Sequence, residues 1–199
     1  MCKAKEQKSE VVQTPKQRLD DRIWITRKSR INASERLLKT ANFINFVNVY
    51  YSIFLILLSL ISISPYVDNS GILSYVSLAG SITLTISIVY ASSLGYKERS
   101  AALKQNYIAL QSLLNGLQFI NGDDEKEIQR IQQDYNELLN NVENHKVIDY
   151  LNLLRTGEVK DKKMTIANWC YFIWYYLRNF TWKLALVTLP IAYIVYLFT

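Results

Sequence analysis

Histidine occurs once in these 199 residues, cysteine only as Cys2 and Cys170, and the six glycines are scattered at 71, 80, 95, 116, 122 and 157. Each scarcity removes a class of function. Two cysteines without metal-ligand spacing supply neither a zinc site nor a disulfide framework, and both read as structural or incidental. Glycines so dispersed cannot build a P-loop or a dinucleotide fingerprint, both of which need several within one turn. The single histidine, His145, falls on an apolar stripe without an arranged Cys, Asp or Glu partner, so it reads as packing or capping rather than catalysis. Adjacent acids, Asp20 with Asp21 and Asp123 with Asp124 and Glu125, fall at turns or helix starts, where a solvated carboxylate suits the helix dipole. The expectation is a chain that is not an enzyme and that carries no metal site and no cofactor.

The most informative absence is that of charge from whole blocks. Half of the residues are apolar and the formal charge is +6, yet the basic residues are unevenly placed: 11 Lys and Arg lie in residues 1–42, 12 in 95–183, and none in 43–94 or 184–199. A positive protein of this kind raises nucleic acid as a partner. Exclusion of the charges from apolar blocks points instead to a lipid bilayer, and no direct nucleic-acid binding is expected.

Residues 43–64, FINFVNVYYSIFLILLSLISIS, run 22 positions without a charge. At ~1.5 Å per residue such a helix spans a ~30 Å hydrocarbon core. Residues 65–71 contain Pro65, Asp68, Asn69 and Gly71, which end helices and make tight turns. A second uncharged stretch of 23 follows at 72–94. Together they predict a transmembrane helical hairpin spanning 43–94. The competing reading, a buried hairpin in a soluble bundle, lacks the wet charged face that a core helix keeps. Basic residues flank the hairpin on both outer sides (Arg27, Lys28, Arg30, Arg36 and Lys39 before it; Lys97, Arg99 and Lys104 after it), whereas the turn has none. The turn is therefore expected outside, and the N-terminus in the cytoplasm of a multi-pass inner-membrane protein. Residues 1–17 are polar and lack the apolar core of a signal peptide, so the mature chain is expected to start near Met1 and the first span to act as its own insertion signal.

Outside the hairpin the pattern is amphipathic. Residues 18–42 read as a cytoplasmic basic amphipathic helix. In 96–119, Leu103, Tyr107, Leu110, Leu114 and Leu117 mark one helical face, and in 124–145 Ile128, Ile131, Tyr135, Leu138, Val142 and His145 mark another. They predict an antiparallel, coiled-coil-like hairpin turning at Asn121-Gly122. A short helix over 145–154 completes a cytoplasmic region of 95–157, and a charged linker occupies 158–165. Between Trp169 and Trp182 eight of fourteen residues are aromatic. Aromatic rings gather at membrane interfaces, so 166–179 reads as an interfacial helix leading to a third span at about Phe180 to Phe198, with Lys183 snorkelling and Pro190 as a kink. Its shortness leaves open a re-entrant segment or one packed on partner helices. The fold class is thus an all-α integral membrane protein.

Polarity inside the spans is the remaining signal. Asn45, Asn48, Ser52, Ser59 and Ser62 share one face of the first span, with Leu55 in series. Ser74, Ser77, Ser81, Thr85 and Ser92 share a face of the second, beside a ridge of Ala79, Thr83, Ser87 and Ala91. Such residues serve as helix-to-helix glue, or as the wet lining of a conduit built by several protomers. With no ionisable group in either hairpin span, a weakly selective pore fits better than a proton-coupled transporter.

The stretch IWITRKSRINASERLL before the hairpin, with Arg22, Arg27, Arg30 and Arg36, and YKERSAALKQNYIALQSLL after it, entered by Lys97 and Arg99, resemble the SLATT proteins. These are bacterial two-transmembrane effector domains named for their association with SMODS nucleotidyltransferases and SLOG domains. The likeness covers about residues 19–155, and is nearest to the subgroup encoded beside reverse transcriptases in anti-phage loci; the third apolar segment departs from a strict two-span pattern. The resemblance implies a pore-forming or membrane-disrupting effector of abortive infection, triggered by a cytoplasmic sensor such as a reverse transcriptase or a nucleotide-signal-producing enzyme. A homo-oligomer is expected. A membrane-anchored adaptor that recruits a cytoplasmic defence enzyme through its helical hairpin is the alternative.

Overall fold

The computed structural model describes residues 14–63, 70–120, 124–159 and 162–197, and among these every regular element is a helix. Six occur in order: α1 (Pro15–Ser62), α2 (Ser70–Ser93), α3 (Tyr96–Phe119), α4 (Glu125–Asn140), α5 (Val147–Arg155) and α6 (Ile166–Leu197). The turn residues Pro65, Asp68 and Asn69, the Asn121-Gly122 turn and Thr199 lie outside the described residues, as does the N-terminal tail to residue 13.

Helix α1 joins two of the expected elements. The basic helix expected over 18–42 and the span expected at 43–64 are one unbroken element of 48 residues, about 72 Å long at ~1.5 Å per residue. No proline or glycine interrupts Ala41-Asn42-Phe43, so nothing ends the backbone ladder where the charges end. Its start lies within the expected polar tail: Thr14 accepts from the Gln17 N–H at 3.3 Å, Gln17 Oε1 accepts from the Thr14 N–H at 3.0 Å, and Pro15 opens the helix. Helix α6 is likewise continuous, joining the expected interfacial helix and third apolar segment. Only Leu94 and Gly95 separate α2 from α3, and at Gly95 φ is +56°, a left-handed conformation that a Cβ disfavours.

The basic half of α1 packs along α3 and α4. Leu19 and Ile23 join Leu110, Leu114, Leu117, Ile128, Ile131 and Tyr135 in one core. The leucine and isoleucine stripes meet as expected, but with α1 as a third partner. Helix α4 ends at Asn140, so Val142 and His145 lie beyond it and not on its stripe. Further along α1 the buried positions turn polar. The Thr26 and Tyr135 hydroxyls are 2.9 Å apart, and Ser34 pairs with Ser100, each donating to the other's carbonyl at 3.0 and 2.8 Å. Between them Arg30, 1 % exposed, donates to Asn106 Oδ1 and to the Leu138 and Leu139 carbonyls. Those carbonyls belong to the last turn of α4, where no helical donor remains and the dipole favours a cation. Lys16 does the same for α3, donating to the Ile120 carbonyl at 2.8 Å. Burial pushes the Arg30 guanidinium below its ordinary value, with Tyr135 opposing. Helix α5 is clamped to α1 by the Arg36–Asp149 pair at 2.8 and 3.0 Å. Burial opposes the Arg36 charge, but the hydrogen bond and charge of Asp149 prevail and hold its pKa above the ordinary arginine value.

Candidate functional site

The apolar half of α1 is covered differently. Helix α2 runs antiparallel to it along a seam of Leu55, Leu58, Ser62, Leu73 and Ser77, all buried. Gly80 sets the approach, because a Cβ there would stand 2.7 Å from Leu55 Cδ2. Ser77 Oγ crosses the seam to donate to the Leu55 carbonyl at 3.3 Å. The other hydroxyls look inward to their own helices: Ser52 donates to the Asn48 carbonyl at 2.8 Å, Ser62 to Ser59 at 2.7 Å, Ser81 to Ser77 at 2.8 Å and Thr85 to Ser81 at 2.9 Å. Such back-bonds satisfy a hydroxyl in surroundings without water.

Helix α6 lies on the other flank of α1. The Lys183 ammonium is 4.7 Å from the Phe43 ring, Tyr50 Oη donates to the Val187 carbonyl at 3.0 Å, and the Phe54 and Tyr193 rings are 6.4 Å apart. These contacts advance together along both helices, so α6 runs parallel to the apolar half of α1. Pro190 has no N–H, which orphans the carbonyl four residues earlier, at Leu186. Tyr51 Oη donates to that carbonyl at 2.8 Å. From the sequence Pro190 is expected only as a kink; the carbonyl that it orphans is the signal that a hydroxyl donor lies nearby.

With α6 on one flank, helical spacing puts Asn45, Ser52 and Ser59 on the opposite flank of the α1–α2 pair. Thr83 and Ser87 of α2 border the groove shared with Leu186 and Leu189 of α6, so Ser81 and Thr85, two positions away from Thr83, fall on the far flank with the α1 residues. Ser59, Ser81 and Thr85 are exposed. Asn48 faces the seam itself and, with Asn45, lines a cleft of ≈ 240 Å³ closed by Ala91, Ser92 and Lys97. The eight candidate residues therefore divide: Ser62 and Ser77 are buried in the seam, Asn48 borders it, and Asn45, Ser52, Ser59, Ser81 and Thr85 make one polar flank. Among the described residues no three His, Cys, Asp or Glu side chains gather as metal ligands.

The surroundings of the hairpin decide its environment. In the most apolar 18-residue window of α1 only 6 % is buried, and Phe46, Val49, Ile53, Ile56 and Leu60 all stand more than half exposed. A core helix of a soluble protein would be covered on these sides. Two described helical stretches are long and apolar enough to cross a membrane, one in α1 and one beginning in α2. An all-α chain with two such helices and a polar bundle at one end is a membrane protein of the two-span class. Residues 12–197 match the SMODS and SLOG-associating 2TM effector domain family 5, and the chain belongs to that family. The match extends beyond the 19–155 of the sequence resemblance and takes in α6, so the third apolar segment is part of the family's domain and not a departure from it. No curated protein and no solved structure matches the chain.

Proposed function

We propose that this membrane effector acts as a homo-oligomer in the bacterial inner membrane, with the polar flank of the α1–α2 pair lining a conduit and the cytoplasmic bundle holding it closed. The observation that carries the reading is the segregation of flanks. Asn45, Ser52, Ser59, Ser81 and Thr85 gather on one side of the hairpin, while the aromatic, apolar α6 covers the other. Copies arranged with α6 outward toward lipid would bring a ring of small polar side chains to the axis, without any charge to select strongly among ions. Because α1 is one helix, a displacement of the bundle by a sensor moves the lining with it. A reverse transcriptase or a nucleotide-signal-producing enzyme is the class of sensor we favour.

The basic flanks of the hairpin support a cytoplasmic N-terminus and bundle. Because α6 runs parallel to the apolar half of α1, its C-terminal end is then directed outward. A reporter fused after Asn69 should behave as external, and cytoplasmic behaviour would overturn this topology. Expression in cells with a membrane-potential dye tests the activity: triggered leakage supports the effector, whereas capture of a cytoplasmic enzyme without leakage supports the adaptor.

A further inference from the structure

A cleft of ≈ 330 Å³ opens between α1, α5 and α6 at the level where the charged half of α1 gives way to the apolar half. Its back wall is fixed, because Arg36 is bound through two hydrogen bonds to the Asp149 carboxylate and Asn32 Nδ2 donates to the Asp149 carbonyl at 2.9 Å. Two more cations border the cleft, Lys39 from α1 and Lys183 from α6. Lys39 Nζ meets Glu35 at 3.5 Å, but both side chains are exposed and such a pair holds its lysine weakly. Lys183 leans on the Phe43 ring at 4.7 Å. With Asp149 already neutralised by Arg36, the opening presents net positive charge.

What lies beyond Lys39 along the helix narrows the class of ligand. Phe46 and Ile53 follow at seven-residue steps on the same strip of α1, each 54 % exposed. A molecule engaging the two lysines and continuing along this strip needs an anionic head and an apolar tail. We infer that the cleft binds the phosphate of an anionic phospholipid between Lys39 and Lys183, with the acyl chains along Phe46 and Ile53. Basic hollows between membrane helices at the headgroup level recognise lipids in this way. The inference rests on the membrane placement of α1 and α6, but not on whether the assembly conducts.

The test is native mass spectrometry of the full chain in detergent, with phosphatidylglycerol or phosphatidylcholine added at equal concentration. Phosphatidylglycerol adducts should dominate on the wild type. They should fall about five-fold for each lysine lost in a Lys39→Ala, Lys183→Ala double variant, and persist in a Lys162→Ala, Lys163→Ala control, whose lysines are exposed in the segment before α6. The two cleft lysines lie outside the buried core, so the double variant should keep wild-type helicity. Equal uptake of the two lipids, or undiminished phosphatidylglycerol binding in the double variant, would overturn the inference. Displacement of the lipid by millimolar inorganic phosphate would do so as well, since it would identify free phosphate as the ligand. Lipid selectivity in a protein that fails to leak would leave the headgroup site standing while removing the conduit.

Discussion

The two halves of α1 bury themselves in opposite ways. In the basic half the inward face is polar in its middle (Thr26, Ser29, Arg30 and Ser34) and wrapped by α3 and α4, whereas in the apolar half outward residues such as Val49, Ile56 and Leu60 are left uncovered. The first half is complete within one chain, because most of its buried polar groups find partners there. The second is complete only when something else supplies the apolar surroundings. One continuous helix thus joins a self-sufficient bundle to a segment whose stability depends on lipid and on neighbouring copies.

Disturbing the bundle should have the largest effect. Leu110 is fully buried among Leu19, Ile23, Leu114 and Tyr135. Leu110→Asp would place an unpaired charge there, at a cost of about 4 kcal/mol, and thermal unfolding in detergent should show loss of the bundle transition while the hairpin stays helical. Arg30→Ala comes next. It would leave the Leu139 carbonyl and Asn106 Oδ1 without their donor and the Leu138 carbonyl with only the Asn106 amide at 2.8 Å, and the same melt should register about 3 kcal/mol. In the apolar half Tyr51→Phe removes the hydroxyl that replaces the missing N–H of Pro190. A loss of about 1 kcal/mol is expected, visible as easier proteolysis of α6 with the bundle melt unchanged.

The smallest effect is a pH dependence. His145 is half-buried with no hydrogen-bond partner at Nδ1, and it faces Asp149 of α5 and Arg30 of α1. Burial pushes its pKa below the ordinary value; Asp149 opposes this and Arg30 adds to it. The unfolded chain therefore takes up the proton first. Stability from this site is full above the ordinary histidine pKa and is lost as pH falls through the lowered one. The drop in melting temperature between pH 7.5 and 5.5 should be smaller in His145→Gln than in the wild type.

Much of the apolar half was legible because a bilayer imposes one simple rule, the exclusion of charge over about 20 residues. The stripes of α3 and α4 were legible for a similar reason: Leu110, Leu114, Ile128 and Ile131 are apolar and buried. The inward face of the basic half was not. Its buried members include Ser29, Arg30 and Ser34, which hydropathy assigns to water, so Arg30 and Arg36 were read as flanking charges and as part of the family resemblance, not as core groups. That Arg30 ends α4 and Arg36 holds α5 depends on contacts across 76 to 113 residues of sequence, which no local pattern reports. The polar stripe of α1 was visible as one face, but its division between seam and open flank required knowing where α2 and α6 lie.

The conduit itself is tested most directly by dye release from liposomes reconstituted with the protein, measured beside the crosslinked oligomer size. In the Leu110→Asp background, whose disrupted bundle no longer holds the conduit closed, an Asn45→Leu, Ser52→Leu double substitution replaces polar lining by an apolar constriction, which blocks permeation by dewetting. The account predicts that the Leu110→Asp protein releases dye where the closed wild type does not, that adding the double substitution keeps the oligomer but abolishes release, and that adding Leu57→Ala with Ile61→Ala instead, away from the polar flank, leaves release intact. A protein with the added double substitution that keeps both its oligomer and its dye release would contradict the account.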